Sequence, residues 1–310
     1  MNRSSLSEFV ILGLSDRPEM QPLLFAVFLC VYLVAVLGNG LIVAAISLSA
    51  ALHTSMYVLL LTLALVDVVC TSSIVPKMLE TTLGPRKTIS YGGCMAQLFF
   101  VTWSLGAEMV LFTAMAFDRY VAICFPLRYA AVMNRRMCSA LLATVLLITV
   151  ANAWVHMGLV LRLSFCGPDA IDHFFCEIPA LLALSFGPVR ANEVVVFVAD
   201  VALVKGDFLL TCLSYGFIVA SILSIRSAKG KRKAFSTCSS HLCGVSFYYS
   251  PVIYTYIRPA SSYSFDRDKV MATLYTLVMP TLNPIVYSLR NREIQAGIRK
   301  VFSSLKLRRQ

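Results

Sequence analysis

The chain has 310 residues, of which 58% are hydrophobic and only 14% are charged, and its net charge is +11. A chain with a mean hydropathy of +0.76 could not cover a water-exposed surface with so few polar side chains, which excludes a soluble enzyme or carrier. The positive charge lies mainly in the connections between apolar blocks, which is typical of a membrane surface facing anionic lipid and not of nucleic-acid binding.

Seven apolar blocks follow the N-terminal segment. Each reaches the roughly 20 residues that a helix needs to cross about 30 Å of hydrocarbon. We therefore predict an all-α fold, a seven-transmembrane helix bundle with one span for each block. The predicted spans, helices one to seven, are 22–49, 56–80, 94–118, 138–161, 193–225, 235–258 and 269–289.

Lys and Arg in the connections predict the orientation. The connections after helices one, three and five, together with the C-terminal tail, hold 16 Lys and Arg residues, against seven in the other set. Because basic connections stay in the cytosol, we expect the N-terminus outside. The predicted parts are an extracellular N-terminus (1–21), the bundle (22–290) and a cytoplasmic amphipathic helix and tail (291–310). Asn2 lies in an Asn-Arg-Ser glycosylation motif, which suits an outside N-terminus.

Two carboxylic acids lie at membrane depth, Asp67 in helix two and Glu108 in helix three. Ionisable groups there are costly and indicate function. The pair could hold Na⁺ together with hydroxyls such as that of Ser104. It could also be protonated and hydrogen-bonded, or form the centre of an intramembrane hydrolase.

The inner end of helix three carries Asp118-Arg119-Tyr120. From Cys94 to Arg119 a helix rises about 37 Å, so the two residues lie on opposite sides of the bilayer. An arginine held by the neighbouring aspartate at the cytosolic side is a candidate latch for a partner protein.

Three of the ten cysteines face the oxidising side: Cys94, Cys166 and Cys176. At least one of them is unpaired or pairs elsewhere. The pairing that we predict is Cys94–Cys176, which would hold the 162–192 loop over the mouth of the bundle. A metal site formed by His173, Cys176 and Glu177 is the alternative, which a disulfide at Cys176 would exclude.

Helix five contains Asp200, Lys205 and Asp207 within one apolar run. At 100° per residue the two aspartates share a face and Lys205 does not. Asp200 lies at a depth that a ligand from outside could reach, so we predict that it contacts a donor or cationic group on the ligand. Pairing of these charges with neighbouring helices is the alternative.

Helix seven contains Pro280 and Pro284, which flank Asn283 and remove backbone donors from the helix. Such breaks survive in a membrane where polar groups repair the loss. Beyond helix seven, Asn291 can cap a further helix whose apolar residues fall on one stripe, as expected for a short amphipathic helix on the membrane surface.

These features together resemble a rhodopsin-like G-protein-coupled receptor, specifically a vertebrate odorant (olfactory) receptor of the tetrapod-type class. The resemblance covers about residues 5 to 305. The stretches that carry it are Gly38-Asn39, LHTSMY (52–57), MAFDRYVAIC (115–124), KAFSTCSSHL (233–242) and PTLNPIVYSLRN (280–291).

The resemblance implies roles for matching residues. Asp67 and Glu108 are similar to the sodium-site acids of that family, and Tyr248 is similar to its aromatic switch under the ligand pocket. The residues similar to its G-protein-coupling and switch residues are Asp118, Arg119, Tyr120, Asn283, Pro284 and Tyr287. The implied partners are a small-molecule odorant and the olfactory-type stimulatory G protein, which raises cAMP.

The chain departs from the family pattern at three positions. Phe186 stands where the family has a further cysteine, which leaves Cys166 without its expected partner. Ser55 stands where proline is usual, and Phe117 stands where tyrosine is usual.

We expect ligand to enter from outside between helices three, five, six and seven. Most of the predicted lining is apolar, which suits a small hydrophobic ligand. The predicted contacts are Val101, Thr102, Leu105, Val196, Asp200, Leu203, Tyr248, Val252 and Thr255.

Two other functions compete with odorant detection. One is a non-olfactory chemoreceptor of the same fold. The other is an ion-coupled transporter with Asp67, Glu108 and Lys205 as a relay, although the halves of the chain lack the self-similarity of many transporters. We expect no enzymatic activity and no cofactor other than a possible bound Na⁺.

Overall fold

The computed structural model of the chain describes residues 7–15, 17–84, 86–165, 170–186, 189–257 and 265–307. Asn2 and Cys166 lie outside these ranges. Within them the chain folds into a bundle of long helices, with a separate tail helix after helix seven. Helices one to four are Gln21–Leu48, Ser55–Leu83, Tyr91–Cys124 and Arg135–Val160, helix six is Ala228–Ile257, and the tail helix is Arg292–Leu307.

Helices five and seven are each interrupted by a wide π-helical turn. Helix five consists of Arg190–Asp200, the π turn Val201–Lys205 and Gly206–Ser224. Helix seven consists of Phe265–Thr273, the π turn Leu274–Val278 and Met279–Arg290. A π turn forms i→i+5 hydrogen bonds and is frequent at functional sites.

Six of these helices are long and apolar enough to cross a membrane, by length and composition. Helix six, with 30 residues, is also of membrane length, but its first turns carry Lys229, Lys231 and Arg232. Several helices extend beyond the predicted spans because an apolar run marks only the part that lies in hydrocarbon. The helical bundle predicted from the apolar blocks is confirmed.

Side chains cap the helices where the chain enters them. The Ser90 hydroxyl accepts a hydrogen bond from the Gly93 amide at 3.1 Å, and the Asn134 side chain accepts one from the Met137 amide at 3.0 Å. Asn291 accepts from the amides of Glu293 and Ile294 at 3.0 and 3.2 Å, as predicted. Each bond satisfies an amide that the first turn of a helix leaves without a partner.

A small sheet covers the outer end of the bundle, a feature that the sequence patterns did not predict. β1 (Glu8–Ile11) pairs antiparallel with β2 (Thr88–Ser90) and parallel with β3 (Ala170–Ile171). Phe9 and Ile11 point inward and are fully buried. The N-terminal segment is therefore packed against the outer loop.

The predicted disulfide Cys94–Cys176 is present, with 5.5 Å between the two Cα atoms. It joins the outer end of helix three to the loop after helix four. Gln97, one turn below, accepts a hydrogen bond from the Cys176 amide and donates one to the Ser73 carbonyl, both at 2.8 Å. Disulfide and glutamine together hold the loop over the bundle.

Candidate functional site

A cavity of about 260 Å³ lies in the outer half of the bundle. Helices three to seven form its wall, and loop residues 175–179 form its roof. The lining is mostly apolar, with a small number of polar groups. A cavity of this kind suits a small, largely apolar molecule.

Five of the predicted ligand-contacting residues line this cavity: Val101, Thr102, Leu105, Leu203 and Tyr248. The side chains of the other four lie outside the described part of the structure; these residues are Val196, Asp200, Val252 and Thr255. Ligand contact stays a prediction for all nine.

Helix four also lines the cavity, contrary to the prediction that helices three, five, six and seven enclose it. Asn152 and His156 lie one turn apart on this helix and both face the cavity. The sequence does contain a signal for this contribution of helix four. Two polar residues at i,i+4 spacing in an apolar helix share one face, which indicates a polar or cavity-facing side.

Both π turns contribute to the wall. Leu203 and Val204 lie in the π turn of helix five, and Tyr275 lies in that of helix seven. Tyr248 of helix six closes the base of the cavity. Its side chain is buried, its hydroxyl donates to the Leu105 carbonyl at 2.9 Å, and its ring lies 5.4 Å from that of Phe112.

The roof carries a group of ionisable side chains. The His173 Nε2 atom lies 3.6 Å from a carboxylate oxygen of Glu177. Burial, with Lys269 nearby, lowers the pKa of His173 to about 3, and burial with Asp268 nearby raises the pKa of Glu177 to about 8. The Lys269 ammonium donates to the Asp172 carboxylate at 2.6 Å, which ties helix seven to the loop.

The metal site considered for His173, Cys176 and Glu177 is excluded by the disulfide. Cys176 is oxidised and cannot act as a thiolate ligand. The structure also brings no three His, Cys, Asp or Glu side chains together in metal-binding fashion anywhere in the described ranges.

The membrane-depth carboxyls Asp67 and Glu108 are fully buried and near enough for their charges to interact. Asn283 donates to one Asp67 oxygen at 2.9 Å. The other Asp67 oxygen and both Glu108 oxygens are buried without a hydrogen-bond partner. Ser104, one turn before Glu108 on helix three, is also buried. Its hydroxyl donates to the Phe100 carbonyl at 2.7 Å and not to either carboxyl. Three of the four carboxyl oxygens therefore have no hydrogen-bond donor among the described residues.

The prediction that one face of helix five carries both aspartates assumed a regular helix, and the Asp200 side chain lies outside the described part of the structure. The π turn Val201–Lys205 separates Asp200 from Asp207, and a constant 100° per residue does not hold across it. Asp207 is buried and accepts a hydrogen bond from the Tyr249 hydroxyl at 2.8 Å. Lys205 is exposed. Asp207 therefore pairs with a neighbouring helix, and Lys205 does not join a buried relay.

At the cytosolic end, Asp118 is buried and holds several groups together. Its Oδ1 atom accepts from the hydroxyls of Ser55 at 2.6 Å and Tyr129 at 2.9 Å, while Oδ2 lies 3.8 Å from the Arg119 guanidinium. The Arg119 Nε atom is buried without a partner. Among the described residues, the ion pair of Arg119 is this one long contact. Ser55, which departs from the family pattern, anchors the aspartate.

In helix seven, side chains from other helices repair the breaks made by proline. Pro284 removes the donor that the Pro280 carbonyl needs, and this carbonyl accepts from the Asn39 amide at 2.9 Å instead. The Tyr287 hydroxyl is buried without a partner. Helix seven is thus bonded to helix one through Asn39 and, separately, to helix two through Asn283 and Asp67.

Comparison with known proteins assigns the family. The family model described as "Olfactory receptor" matches residues 28–305 of the chain. The chain belongs to the olfactory receptor family. It is 68% identical to human Olfactory receptor 13G1 over 306 residues, which cover 99% of the chain and all of that protein. It is also 49% identical to human Olfactory receptor 13A1 over 97% of the chain and 92% of that protein. To mouse Olfactory receptor 5AP2 it is 42% identical, over 97% of the chain and 95% of that protein.

Membership confirms the resemblance inferred from the motifs. Olfactory receptors are rhodopsin-like G-protein-coupled receptors, so the chain is a multi-pass plasma-membrane protein. This family is not a class of enzymes, and the hydrolase interpretation of Asp67 and Glu108 finds no support in it. The sodium-site and switch assignments stay predictions.

Proposed function

We propose that this olfactory receptor binds small, mostly apolar odorants from outside and activates a stimulatory heterotrimeric G protein, which raises cAMP. The observation that carries the proposal is the largely apolar cavity under the disulfide-held loop. Helix three links this cavity to the cytosolic face, because Leu105 lines the cavity and Asp118-Arg119 lies near the inner end of the same helix.

Activation would be a shift between two populations. A ligand that fills the cavity and binds the active arrangement more tightly shifts the balance by that difference in affinity alone. Tyr248 would transmit ligand binding to helix three. It lines the cavity, and its hydroxyl donates a hydrogen bond to the Leu105 carbonyl of that helix. Release of Arg119 from Asp118 would then free a cation for the G protein.

A screen for ligand-dependent cAMP tests the proposal. Cells expressing the receptor, and cells lacking it, receive a panel of small volatile compounds while cAMP and membrane current are recorded. We expect some compounds to raise cAMP only in receptor-bearing cells and without a current. A ligand-dependent current or solute flux without cAMP would contradict the proposal and favour a transporter or channel.

We further propose that Asp67 and Glu108 hold a sodium ion. The fit rests on their three partnerless buried oxygens, since carboxylate oxygens are ligands for hard cations. When bound, the ion supplies positive charge between helices two and three. A protonated, hydrogen-bonded pair is the alternative.

Sodium dependence of thermal stability tests this site. An ion that binds only the folded receptor raises its melting temperature as concentration rises. We expect purified receptor to melt higher in NaCl than in N-methyl-D-glucamine chloride, and Glu108→Gln to lose this difference. Glu80→Gln, an exposed change on helix two, is the control. An unchanged sodium effect in Glu108→Gln would refute the site.

A further inference from the structure

The outer rim of the cavity is acidic. Glu177 of the roof and Asp268 of helix seven both line the cavity, whereas no Lys or Arg does so among the described residues. Below the rim the wall is apolar, with Leu98, Val101 and Met109 among its residues. The cavity thus combines a carboxylate at its outer end with a hydrophobic interior.

Glu177 has no cation to neutralise it within the described residues. The His173 imidazole lies 3.6 Å from it. Because the pKa of His173 is lowered to about 3, this imidazole is neutral at physiological pH. The nearby ammonium, Lys269, is engaged by Asp172 at 2.6 Å. The Glu177 side chain is only 15% exposed, so water stabilises its charged form poorly and the carboxyl favours its neutral form until a cation arrives.

We propose that the ligands of this receptor include small aliphatic amines, whose protonated amino group binds the Glu177 carboxylate while the hydrocarbon part fills the cavity below. This inference rests on the proposed function and names its ligand class. An ammonium would supply the charge and hydrogen-bond donors that Glu177 lacks. A bare metal ion would leave the apolar wall unused, whereas an alkylamine matches both parts of the cavity.

Matched ligands and variants test the proposal. The probes are n-hexylamine and n-hexanol, which share a hydrocarbon chain and differ in the charged group. In a cAMP assay we expect the wild-type receptor to respond to hexylamine at lower concentration than to hexanol. Glu177→Gln should raise the half-maximal hexylamine concentration about tenfold or more, the loss expected for a charge-assisted hydrogen bond, and should leave the hexanol response unchanged.

Two further variants make the result specific. Glu177→Asp keeps the charge and is expected to retain a preference for the amine. Glu8→Gln removes an exposed outer carboxylate on β1 and should change neither response. If Asp200→Asn abolished the amine preference and Glu177→Gln did not, the amine would bind at helix five and the proposal would be wrong.

A measurement on the wild-type receptor covers the case in which Glu177→Gln does not reach the surface. The pKa of Glu177 is about 8, whereas an alkylamine resembles lysine, with a pKa of about 10.4. Raising pH from 6.5 to 8 therefore raises the ionised fraction of Glu177 from a few per cent to about one half and leaves the amine charged. The titratable or charged groups around this rim are His173, Asp268, the Asp172–Lys269 pair and, on helix four, His156. We expect hexylamine potency to rise over this pH range relative to hexanol.

The outcomes separate this inference from the proposed function. Hexylamine inactivity at a receptor that answers other panel compounds with cAMP would overturn the amine assignment alone. Equal effects of Glu177→Gln on hexylamine and hexanol would also overturn it, since that pattern indicates a purely structural role. A current evoked by hexylamine without cAMP would instead overturn the proposed function.

Discussion

Arg119→Ala is expected to abolish ligand-dependent cAMP while the receptor still reaches the cell surface. The free energy of unfolding should change little in this variant. Among the described residues, Arg119 forms one long ion-pair contact, to Asp118 at 3.8 Å, and its Nε atom has no partner. Asp118 keeps its hydrogen bonds from Ser55 and Tyr129. The variant lacks the Arg119 guanidinium, the cation that we propose contacts the G protein. The measurement is cAMP accumulation at matched surface expression.

Arg136→Ala is the matched control for this change. Arg136 is exposed at the start of helix four, on the same cytosolic side. If removal of any cytosolic arginine lowered the cAMP response, Arg119→Ala and Arg136→Ala would lower it to the same extent. A normal cAMP response of Arg119→Ala at wild-type surface level would show that Arg119 does not couple the receptor to its G protein.

Gly38→Val is expected to destabilise the receptor and remove most of it from the cell surface. A Cβ atom at this position of helix one would lie 2.9 Å from the Pro284 Cγ atom. The proline ring is rigid, so helices one and seven would have to separate. Overpacking of this kind costs about 1–3 kcal/mol. Separation would also pull Asn39 from the Pro280 carbonyl that it satisfies, which adds the cost of an unpaired buried group.

Gly40→Val provides the control on the same helix. Nothing lies within 4 Å of a Cβ atom built at Gly40, and both substitutions carry the same intrinsic cost for a helix. Surface expression and melting temperature of the two variants therefore isolate the contact with Pro284. Equal losses in both variants would argue against close packing of helices one and seven at this point.

Features that depend on local chemistry could be predicted from the sequence. Apolar runs predict helices in a bilayer because unsatisfied backbone groups are costly there. The Asn291 cap and the repair of the helix-seven breaks follow from side chains that can accept or donate where the backbone lacks a partner. The side of the membrane limits the disulfide to Cys94, Cys166 and Cys176, and the structure confirms the predicted pair Cys94–Cys176.

The remaining features depend on packing between distant segments. The segments Val201–Lys205 and Leu274–Val278 contain neither glycine nor proline, so no ordinary signal marks their π turns. β1 forms only because loops from two other parts of the chain meet it. The acidic rim consists of Glu177 of a loop and Asp268 of helix seven, two residues that are far apart in the sequence.

Nucleotide exchange on a purified G protein tests the central claim most directly. The receptor is placed in lipid nanodiscs with a stimulatory heterotrimeric G protein and an active compound from the cAMP screen. We predict that the compound accelerates GDP release with the wild-type receptor and has no effect with Arg119→Ala. An active compound that leaves nucleotide exchange unchanged, yet drives ion or solute movement through the wild-type protein in vesicles, would contradict the assignment as an odorant-activated, G-protein-coupled receptor.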